Sequence, residues 1–316
     1  MARMDLENKF RGAMLGSALG DAIGELAFGL GDRAALTAAV DRCPSLVYTD
    51  DTAMAIGVAE VLVAHGGLDP ETLGRRFHDN YRREPWRGYG PGPPALFALV
   101  EREGLSYAAT AQRLYGGEGS FGNGAAMRVT PVGLFVSTDP EFEDLARASA
   151  EATHAHPVGV DGAVVQAAAV ASAVELDPVA PFDAAGFCRR LADIARTSEM
   201  RTRLASVERL LAEGARPARA AAEFGFGIAV QDSLPFALYA FLTHTDSFEN
   251  CLFIAALHAG DRDTVGAMAC AVSGAYLGID AIPAEWLAKL ENRDLLDALA
   301  RRLAAAGERR AARLNG

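Results

Sequence analysis

The feature that most constrains the fold is a series of long segments in which Ala, Leu, Val and Arg recur with helical spacing. Between Leu191 and Leu211, apolar residues return every three or four positions among charged neighbours, which is the pattern of an amphipathic helix. No comparable set of alternating strands accompanies these segments. The sequence therefore predicts an all-α protein, with helices over residues 52–65, 162–176, 187–213, 265–277 and 294–314.

The whole chain, residues 1–316, is predicted to form one domain. Half of the 316 residues are hydrophobic and 22% are charged, which suffices for a sizeable core and excludes extensive disorder. The sequence contains no internal repeat and no linker rich in Pro and Ser. We expect the core to cover about residues 8–290 and a basic helical C-terminal tail to include residues 308–313.

The charge balance excludes one class of partner and favours another. The 41 acidic and 30 basic residues give a formal net charge of -11. Duplex nucleic acid is not an expected partner, because its binding depends on an excess of Lys and Arg. Divalent cations are better candidates. The four cysteines stand far apart without a CxxC pair, which argues against a zinc site and against a disulfide framework.

The sequence also predicts where the protein resides. Charged residues at positions 5, 7, 9 and 11 interrupt any apolar run behind Met1, so no signal peptide is predicted. The longest apolar stretches fall short of the roughly 20 residues that span a bilayer. We therefore expect a cytoplasmic protein that does not contact a membrane.

Two acidic turns each stand directly before a helical segment. Asp50 and Asp51 precede the first, and Asp261 and Asp263 precede the second. Acidic residues at a helix start are ordinarily explained by capping and by the helix dipole. Four carboxylates that met in a partly buried site would repel one another without a cation, and Mg²⁺ prefers oxygen ligands. A metal site that joins the two turns is therefore the alternative to capping.

Glycine is concentrated in two further segments, residues 87–92 and 116–124, which are predicted to be loops. Backbone N–H groups in such loops can approach an anionic ligand closely, although flexible connectors have the same composition. His154 and His156 do not share a helix face, and a structural role for them is the simpler interpretation. The sequence has neither a GxSxG elbow nor a cysteine near a histidine motif, which disfavours nucleophilic catalysis.

In order and spacing, these motifs resemble the ADP-ribosylglycohydrolase family, most closely its ADP-ribosyl-acceptor hydrolase 3 branch. The resemblance covers roughly residues 8–290. The matching blocks, in chain order, are FRG at 10–12, GDAIG at 20–24, YTDDTAM at 48–54, RGYG at 87–90, SFGNGAAMRV at 120–129, TH at 153–154, GIA at 227–229, SLP at 233–235 and GDRDT at 260–264.

The resemblance implies a compact orthogonal helical bundle with a central dinuclear metal cleft. Two Mg²⁺ ions, with Mn²⁺ as the alternative, would be held by Thr49, Asp50, Asp51, Asp261, Asp263 and Thr264. The ions would hold the ribose hydroxyls next to the scissile bond. Either Asp50 or Asp51 would deprotonate the attacking water, because the reaction passes through an oxocarbenium-like state.

The resemblance also implies a pocket for ADP-ribose, whose diphosphate would lie near glycine N–H groups. Either Tyr115 or Phe121 would stack on the adenine. The implied pocket residues are Gly88, Gly92, Tyr115, Gly119, Ser120, Phe121, Gly122, His154 and Ile228.

One position departs from the family pattern. The family usually carries a glutamate seven residues after the aspartate of its GDxxG motif, and here that position is Phe28. Glu25, three residues earlier, lies on the same face of a helix and is the candidate acid/base group. If no carboxylate takes over, the chain would be a slow enzyme or a protein that only binds ADP-ribose.

The predicted activity is Mg²⁺-dependent hydrolysis of O-linked ADP-ribose, as in serine-ADP-ribose, poly(ADP-ribose) or O-acetyl-ADP-ribose. The expected partners are ADP-ribose and ADP-ribosylated protein or small-molecule conjugates. Hydrolysis of arginine-linked ADP-ribose and catalytically silent binding of ADP-ribose are the two alternatives.

Overall fold

The computed structural model describes residues 5–135 and 141–314, and within these ranges it confirms the predicted all-α class. The described residues form seventeen α-helices, and their only β pairing consists of two isolated bridges. The helices are α1 Leu6–Ala27, α2 Arg33–Arg42, α3 Asp50–His65, α4 Pro70–Arg83, α5 Gly92–Glu103, α6 Tyr107–Ala111, α7 Thr130–Phe135, α8 Phe142–Glu151, α9 Pro157–Glu175, α10 Ala184–Ile194, α11 Ser198–Ala212, α12 Pro217–Phe224, α13 Val230–Thr243, α14 Phe248–His258, α15 Arg262–Leu277, α16 Ala284–Lys289 and α17 Arg293–Leu314.

The centre of the fold is the pair formed by α1 and α15, which pack backbone against backbone. A Cβ atom on Gly20 would lie 2.1 Å from the carbonyl oxygen of Gly266, and one on Gly266 would lie 2.3 Å from that of Gly20. At the end nearer the acidic turns, a Cβ on Gly24 would lie 2.3 Å from the carbonyl oxygen of Arg262. Only glycine permits this approach, and it brings the start of α15 against the C-terminal half of α1.

The other long helices surround this pair. Helices α9, α13 and α14 pack against α15, and α17 packs against α1, α3 and α7. One cluster of buried hydrophobic side chains extends from Phe10 to Ala306. Helix α17 contributes Leu296, Leu299 and Leu303 to this cluster, so the helix that follows residue 290 belongs to the core at least as far as Ala306.

The single helix predicted over residues 187–213 is wrong, because the chain forms two helices there. Helix α10 ends at Ile194, and α11 begins at Ser198 after Thr197, whose hydroxyl accepts a hydrogen bond from the N–H of Met200. The connecting turn is held by Asp161 of α9, which accepts hydrogen bonds from the N–H groups of Arg196 and Thr197. The apolar periodicity continues across the break because both helices bury one face. The signal that the prediction overlooked was Thr197-Ser198, since Thr and Ser are preferred at helix N-termini.

One helix among the described residues, α9, is long and apolar enough to cross a membrane. Of its most apolar stretch, 89% is buried inside the protein. A helix buried to this extent belongs to the core, and its apolar surface is already covered by neighbouring helices.

Candidate active site

The first acidic turn is fixed by Asp21, a fully buried residue of α1. Its carboxylate accepts hydrogen bonds from the N–H groups of Thr49 and Thr52, both at 3.0 Å, and from their hydroxyls at 2.8 and 2.6 Å. Although Thr49 stands at the N-cap position of α3, its side chain makes no capping hydrogen bond. The turn is therefore shaped by a partner on another helix, which leaves Asp50 and Asp51 unused by capping.

The second acidic turn lies at the start of α15. Asp261 occupies the N-cap position but likewise makes no capping hydrogen bond. One of its oxygens instead accepts a hydrogen bond of 2.6 Å from the side-chain amide of Asn123, and Asn123 also donates to the hydroxyl of Ser233. Asp263 accepts a hydrogen bond from the N–H of Thr264 at 2.8 Å. Neither N-cap residue thus makes a capping hydrogen bond, while Asp50, Asp51 and Asp263 do stand in the first turns of their helices, where the helix dipole favours acidic residues.

The close packing of α1 and α15 places the two turns side by side. Burial raises the pKa of Asp51 well above its usual value, and the charges of Asp21, Asp263, Asp50 and Asp261 raise it further. Burial, followed by the charge of Asp21, raises the pKa of Asp50 to about 7. Asp50, Asp51, Asp261 and Asp263 all line one cleft, and these mutual effects on their pKa values agree with their being neighbours.

Asp263 has the same environment, because burial and the neighbouring charge of Asp261 raise its pKa to about 8. The pKa of Asp21 rises less, to about 6, since burial is opposed by its hydrogen bonds from Thr52 and Thr49. At neutral pH, several neighbouring carboxyl groups therefore compete for protons. A bound cation would relieve this competition.

The donor set fits a hard cation such as Mg²⁺. The Oδ1 atom of Asp51 is buried and has no hydrogen-bond partner, and the candidate ligand side chains of the two acidic turns offer only oxygen atoms. Among the described residues, no three acidic, histidine or cysteine side chains already converge as a complete set of metal ligands. The carboxylates would therefore have to close around an ion. Thr49, Asp50, Asp51, Asp261, Asp263 and Thr264 are the residues available to do so.

A cleft of about 200 Å³ opens beside the acidic turns. Its lining residues are Asp50, Asp51, Met54, Gly88, Gly90, Pro91, Gly92, Pro93, Leu114, Tyr115, Ser120, Gly122, Asn123, Gly124, Met127, Arg128, Thr153, His154, Ile228, Asp261, Asp263 and Thr264. A larger cavity of about 490 Å³ lies elsewhere, near Arg11 and Asp297, and none of the predicted site residues lines it. The chemistry therefore points to the smaller cleft.

The glycine-rich loops form the walls of this cleft. Gly88 has φ +85°, and a Cβ there would lie 3.7 Å from the side chain of Thr49. Opposite, the N–H of Asn123 donates to the carbonyl of Ile228 at 2.9 Å, and the N–H of Val230 donates to the carbonyl of Phe121 at 3.0 Å. These two hydrogen bonds tie the loop around residues 120–124 to the start of α13.

Most predicted ligand residues lie on this cleft, and a few do not. Gly88, Gly92, Tyr115, Ser120, Gly122, His154 and Ile228 line it. Gly119 instead packs on Ala155 and His156, and Phe121 is 44% exposed with its ring edge-on to His156. Thr49 does not line the cleft but reaches Asp51, to which its hydroxyl lies at 3.2 Å.

Glu25 lies apart from the cleft. The residue is exposed in the last turns of α1 and is not among the lining residues, and Phe28 just beyond the helix end is 46% exposed. The role of Glu25 as an acid/base group stays a prediction. Its position three residues before Phe28 places it on the same helix end, next to the start of α15 that Gly24 contacts.

Sequence reasoning assigned no role to three residues that shape the site. Asp21 holds the first acidic turn, Asn123 holds Asp261, and the fully buried Arg128 lies behind the cleft wall. A spacing signal for the close helix pair was also present, since Gly12, Gly16, Gly20 and Gly24 recur at intervals of four residues on one face of α1. The partners of Asp21 and Asn123 are distant in sequence and carry no comparable signal.

The fold and the cleft define an all-α protein in which buried carboxylates face a glycine-lined ligand site. The sequence matches the model of the ADP-ribosylglycohydrolase family over residues 2–313, and the chain belongs to that family. It is accordingly a hydrolase that acts on glycosyl bonds.

Individual relatives agree with this assignment. The chain is 31% identical to the protein named ADP-ribosylhydrolase ARH3 from Homo sapiens, over 94% of this chain and 93% of the relative. It is 32% identical to the uncharacterized protein YegU of Escherichia coli, over 79% and 77% of the two chains. A solved structure titled ADP-ribosylglycohydrolase-related protein complex superposes with a TM-score of 0.68 at 27% identity, covering 96% of this chain and 99% of that chain.

Proposed function

We propose that this protein is a Mg²⁺-dependent ADP-ribosyl hydrolase that cleaves O-glycosidic bonds of ADP-ribose, with serine-linked ADP-ribose on proteins as the leading substrate. The observation that carries the proposal is the buried Oδ1 atom of Asp51, which has no partner and faces other carboxylates at the end of a glycine-lined cleft. The similarity to ARH3 over nearly the whole chain supports the substrate class.

The cation would be held by Thr49, Asp50 and Asp51 from one side, and by Asp261, Asp263 and Thr264 from the other. A bound pair of divalent cations supplies Lewis acidity and lowers the pKa of coordinated water. Asn123 keeps Asp261 oriented toward the site, and Asp21 keeps the turn that carries Asp50 and Asp51 rigid. Asp261 and the backbone of the first turn are thus positioned before any ligand binds, and the other carboxylates would close around the ion.

The remaining chemistry falls to the residues of the cleft. Backbone N–H groups of the glycine-rich loops can donate to a diphosphate, and Tyr115, which is 56% exposed at the cleft wall, can stack on a nucleobase. Loss of the acceptor leaves an oxocarbenium-like sugar, which neighbouring carboxylates stabilise. Either Asp50 or Asp51 would accept the proton of the attacking water, and Glu25 is the candidate donor of a proton to the leaving oxygen.

The test is a turnover assay on two peptides that carry ADP-ribose on serine or on arginine. We expect release of ADP-ribose from the serine-linked peptide in Mg²⁺, little release from the arginine-linked peptide, and none in EDTA. Preferential release from arginine would favour the alternative acceptor. Tight calorimetric binding of ADP-ribose without turnover of either peptide would show a protein that only binds the nucleotide sugar.

The role of Glu25 needs a separate variant. Glu25→Gln keeps the size of the side chain and removes its charge, and at an exposed position it should leave stability unchanged within about 0.5 kcal/mol. If Glu25 donates the proton, turnover in Mg²⁺ falls by about 100-fold or more. Full activity of Glu25→Gln would remove this residue from the mechanism and leave the metal site untouched.

A further inference from the structure

Behind the cleft wall lies a cation that is buried without an acidic partner. Arg128 is 0% exposed, and among the described residues no carboxylate forms an ion pair with its guanidinium, although the charge of Asp50 acts on it from farther away. It donates instead to the carbonyl of Gly124 at 3.0 Å and to the carbonyl of Ser149 at 2.9 Å, and it stacks 4.5 Å from the ring centre of Phe77. A buried charge whose direct hydrogen-bond partners are all neutral is costly, so its position calls for a function.

The guanidinium of Arg128 also makes a hydrogen bond to Thr153, which determines the direction of the hydrogen bond between Thr153 and His154. Arginine can only donate, so the hydroxyl oxygen of Thr153, at 2.8 Å from Nη2, accepts. The hydroxyl proton then remains available for Nδ1 of His154, which lies 2.7 Å away. No other acceptor for this hydroxyl occurs in the part of the chain that the structure describes. The opposite direction would leave the buried hydroxyl proton unpaired.

If Nδ1 of His154 accepts, the neutral ring carries its proton on Nε2. That edge of the ring faces the cleft loop, since a Cβ on Gly124 would lie 3.5 Å from Nε2 and one on Gly122 would lie 3.9 Å from it. Burial and, to a lesser extent, the charge of Arg128 lower the pKa of His154 to about 3, so the ring stays neutral. Nearby His156 differs, because it caps α9 by accepting from the N–H of Val158.

We infer that Arg128 and Thr153 form a relay that fixes His154 as the neutral Nε2–H tautomer, whose N–H holds the Gly122–Gly124 edge of the cleft in its ligand-binding shape. The three residues act in sequence from the buried charge of Arg128, through Thr153, to His154 at the cleft. Arg128 and Thr153 are positioning residues that act through His154. The identity of the expected ligand, a nucleotide sugar with a diphosphate, rests on the proposed function. The assignment of the His154 tautomer does not depend on it.

The direct test is the nitrogen NMR spectrum of the histidine rings in the full-length protein. His154→Gln assigns the signals of His154 among the six histidines by removing them. In the wild type we expect a protonated Nε2 and an unprotonated Nδ1. In Thr153→Val, which keeps the shape of the side chain but not its hydroxyl, we expect a mixture of tautomers. Thr153→Ser, which keeps the hydroxyl, should restore the wild-type spectrum.

Binding of ADP-ribose, measured by calorimetry, gives the functional consequence. We expect Thr153→Val to weaken binding about tenfold, the equivalent of one lost hydrogen bond, and to raise KM more than it lowers kcat. The control is Thr130→Val, because Thr130 is also fully buried and its hydroxyl has no hydrogen-bond partner. This variant should bind ADP-ribose as the wild type does.

The outcomes separate the relay from the proposed function. An Nδ1–H tautomer in the wild type refutes the relay even if Thr153→Val does not fold. So does a Thr153→Val protein with unchanged tautomer and unchanged affinity. If the wild-type protein neither binds ADP-ribose nor releases it from a conjugate, the proposed function fails, while the NMR spectrum still decides the relay.

Discussion

Asp51 and Asp161 are both buried carboxylates, with 2% and 1% of their surfaces exposed, yet their surroundings differ completely. Asp161 accepts from the N–H of Arg196 at 2.9 Å and from the N–H and hydroxyl of Thr197 at 2.8 and 2.6 Å. Asp51 has one oxygen without any partner, and the other is 3.2 Å from the hydroxyl of Thr49. That hydroxyl is closer to Asp21, at 2.8 Å.

The difference teaches how to distinguish a structural carboxylate from one that serves a ligand. A buried carboxylate whose oxygens are filled by fixed donors stabilises the fold, because its charge is compensated within the chain. One that lacks donors and faces like charges is costly until a cation arrives. By this criterion Asp161 holds the turn between α10 and α11, and Asp51 belongs to the proposed metal site.

The largest expected effect is on activity. We expect Asp51→Asn and Asp263→Ala to lower kcat/KM at least about 100-fold, since even residues behind metal ligands change activity 10–100-fold. Asp161→Asn, which removes an equally buried charge, should change kcat/KM far less once the folded fraction is taken into account. Equal losses in Asp51→Asn and Asp161→Asn would abolish the distinction between the two sites.

For the free energy of unfolding, we expect the order to be reversed, so that replacing Asp161 costs more than replacing Asp51. Asp161→Ala leaves two N–H groups and one hydroxyl without their acceptor, and we expect a loss of about 3 kcal/mol in the free energy of unfolding. Asp51→Asn removes a charge that its neighbours repel, so in EDTA it should stabilise the protein. Urea unfolding of both variants in EDTA checks the two signs, and a destabilised Asp51→Asn would contradict the comparison.

How much of this contrast the sequence predicts depends on how far apart the partners lie. The acidic turns were visible as Asp50-Asp51 and Asp261-Arg262-Asp263, but their spacing could not show that they meet, and only the fold places both on one cleft. Local patterns also predicted most long helices. The donors to Asp161 lie 35 and 36 residues away, and those to Asp21 lie 28 and 31 residues away. Nothing in the local pattern says which distant N–H groups donate to a carboxylate. The hydrogen bonds that Asp161 and Asp21 accept were therefore not predicted.

The dependence on pH provides a third test. Burial and neighbouring charges raise the pKa of Asp50 to about 7 and that of Asp263 to about 8 in the fold, above the ordinary value of 3.8. A raised folded pKa gives stability that is complete below pH 3.8 and is lost as the pH rises through 7 to 8. In EDTA, the melting temperature should therefore fall as the pH rises from 3.8 to about 8, the window between the ordinary and the raised pKa values.

Mg²⁺ should reverse this trend, because it needs the deprotonated carboxylates. At 100 times its Kd the ion adds about 2.7 kcal/mol, and the gain should be larger at pH 8 than at pH 5.5. Asp51→Asn serves as the control and should respond weakly at both values. The same Mg²⁺-induced shift at both pH values would argue against these carboxylates as the ligands.

The smallest effect comes from a matched pair of hydroxyl deletions. Thr52 and Thr197 each donate a hydroxyl hydrogen bond of 2.6 Å to a buried carboxylate, Asp21 and Asp161 respectively. Replacing either threonine with valine should lower the free energy of unfolding by about 1 kcal/mol. Thr197→Val should lose slightly more, because Thr197 also caps α11.

Only Thr52→Val should weaken Mg²⁺ binding, because Asp21 fixes the turn that carries Asp50 and Asp51. We expect the affinity for Mg²⁺ to fall by about tenfold, since the loss of a residue that supports metal ligands has an effect of this size. Calorimetric titration of both variants with Mg²⁺ compares them directly. If Thr197→Val weakened Mg²⁺ binding as much as Thr52→Val, the loss would reflect general loosening of the fold, and Asp21 would have no particular connection to the metal site.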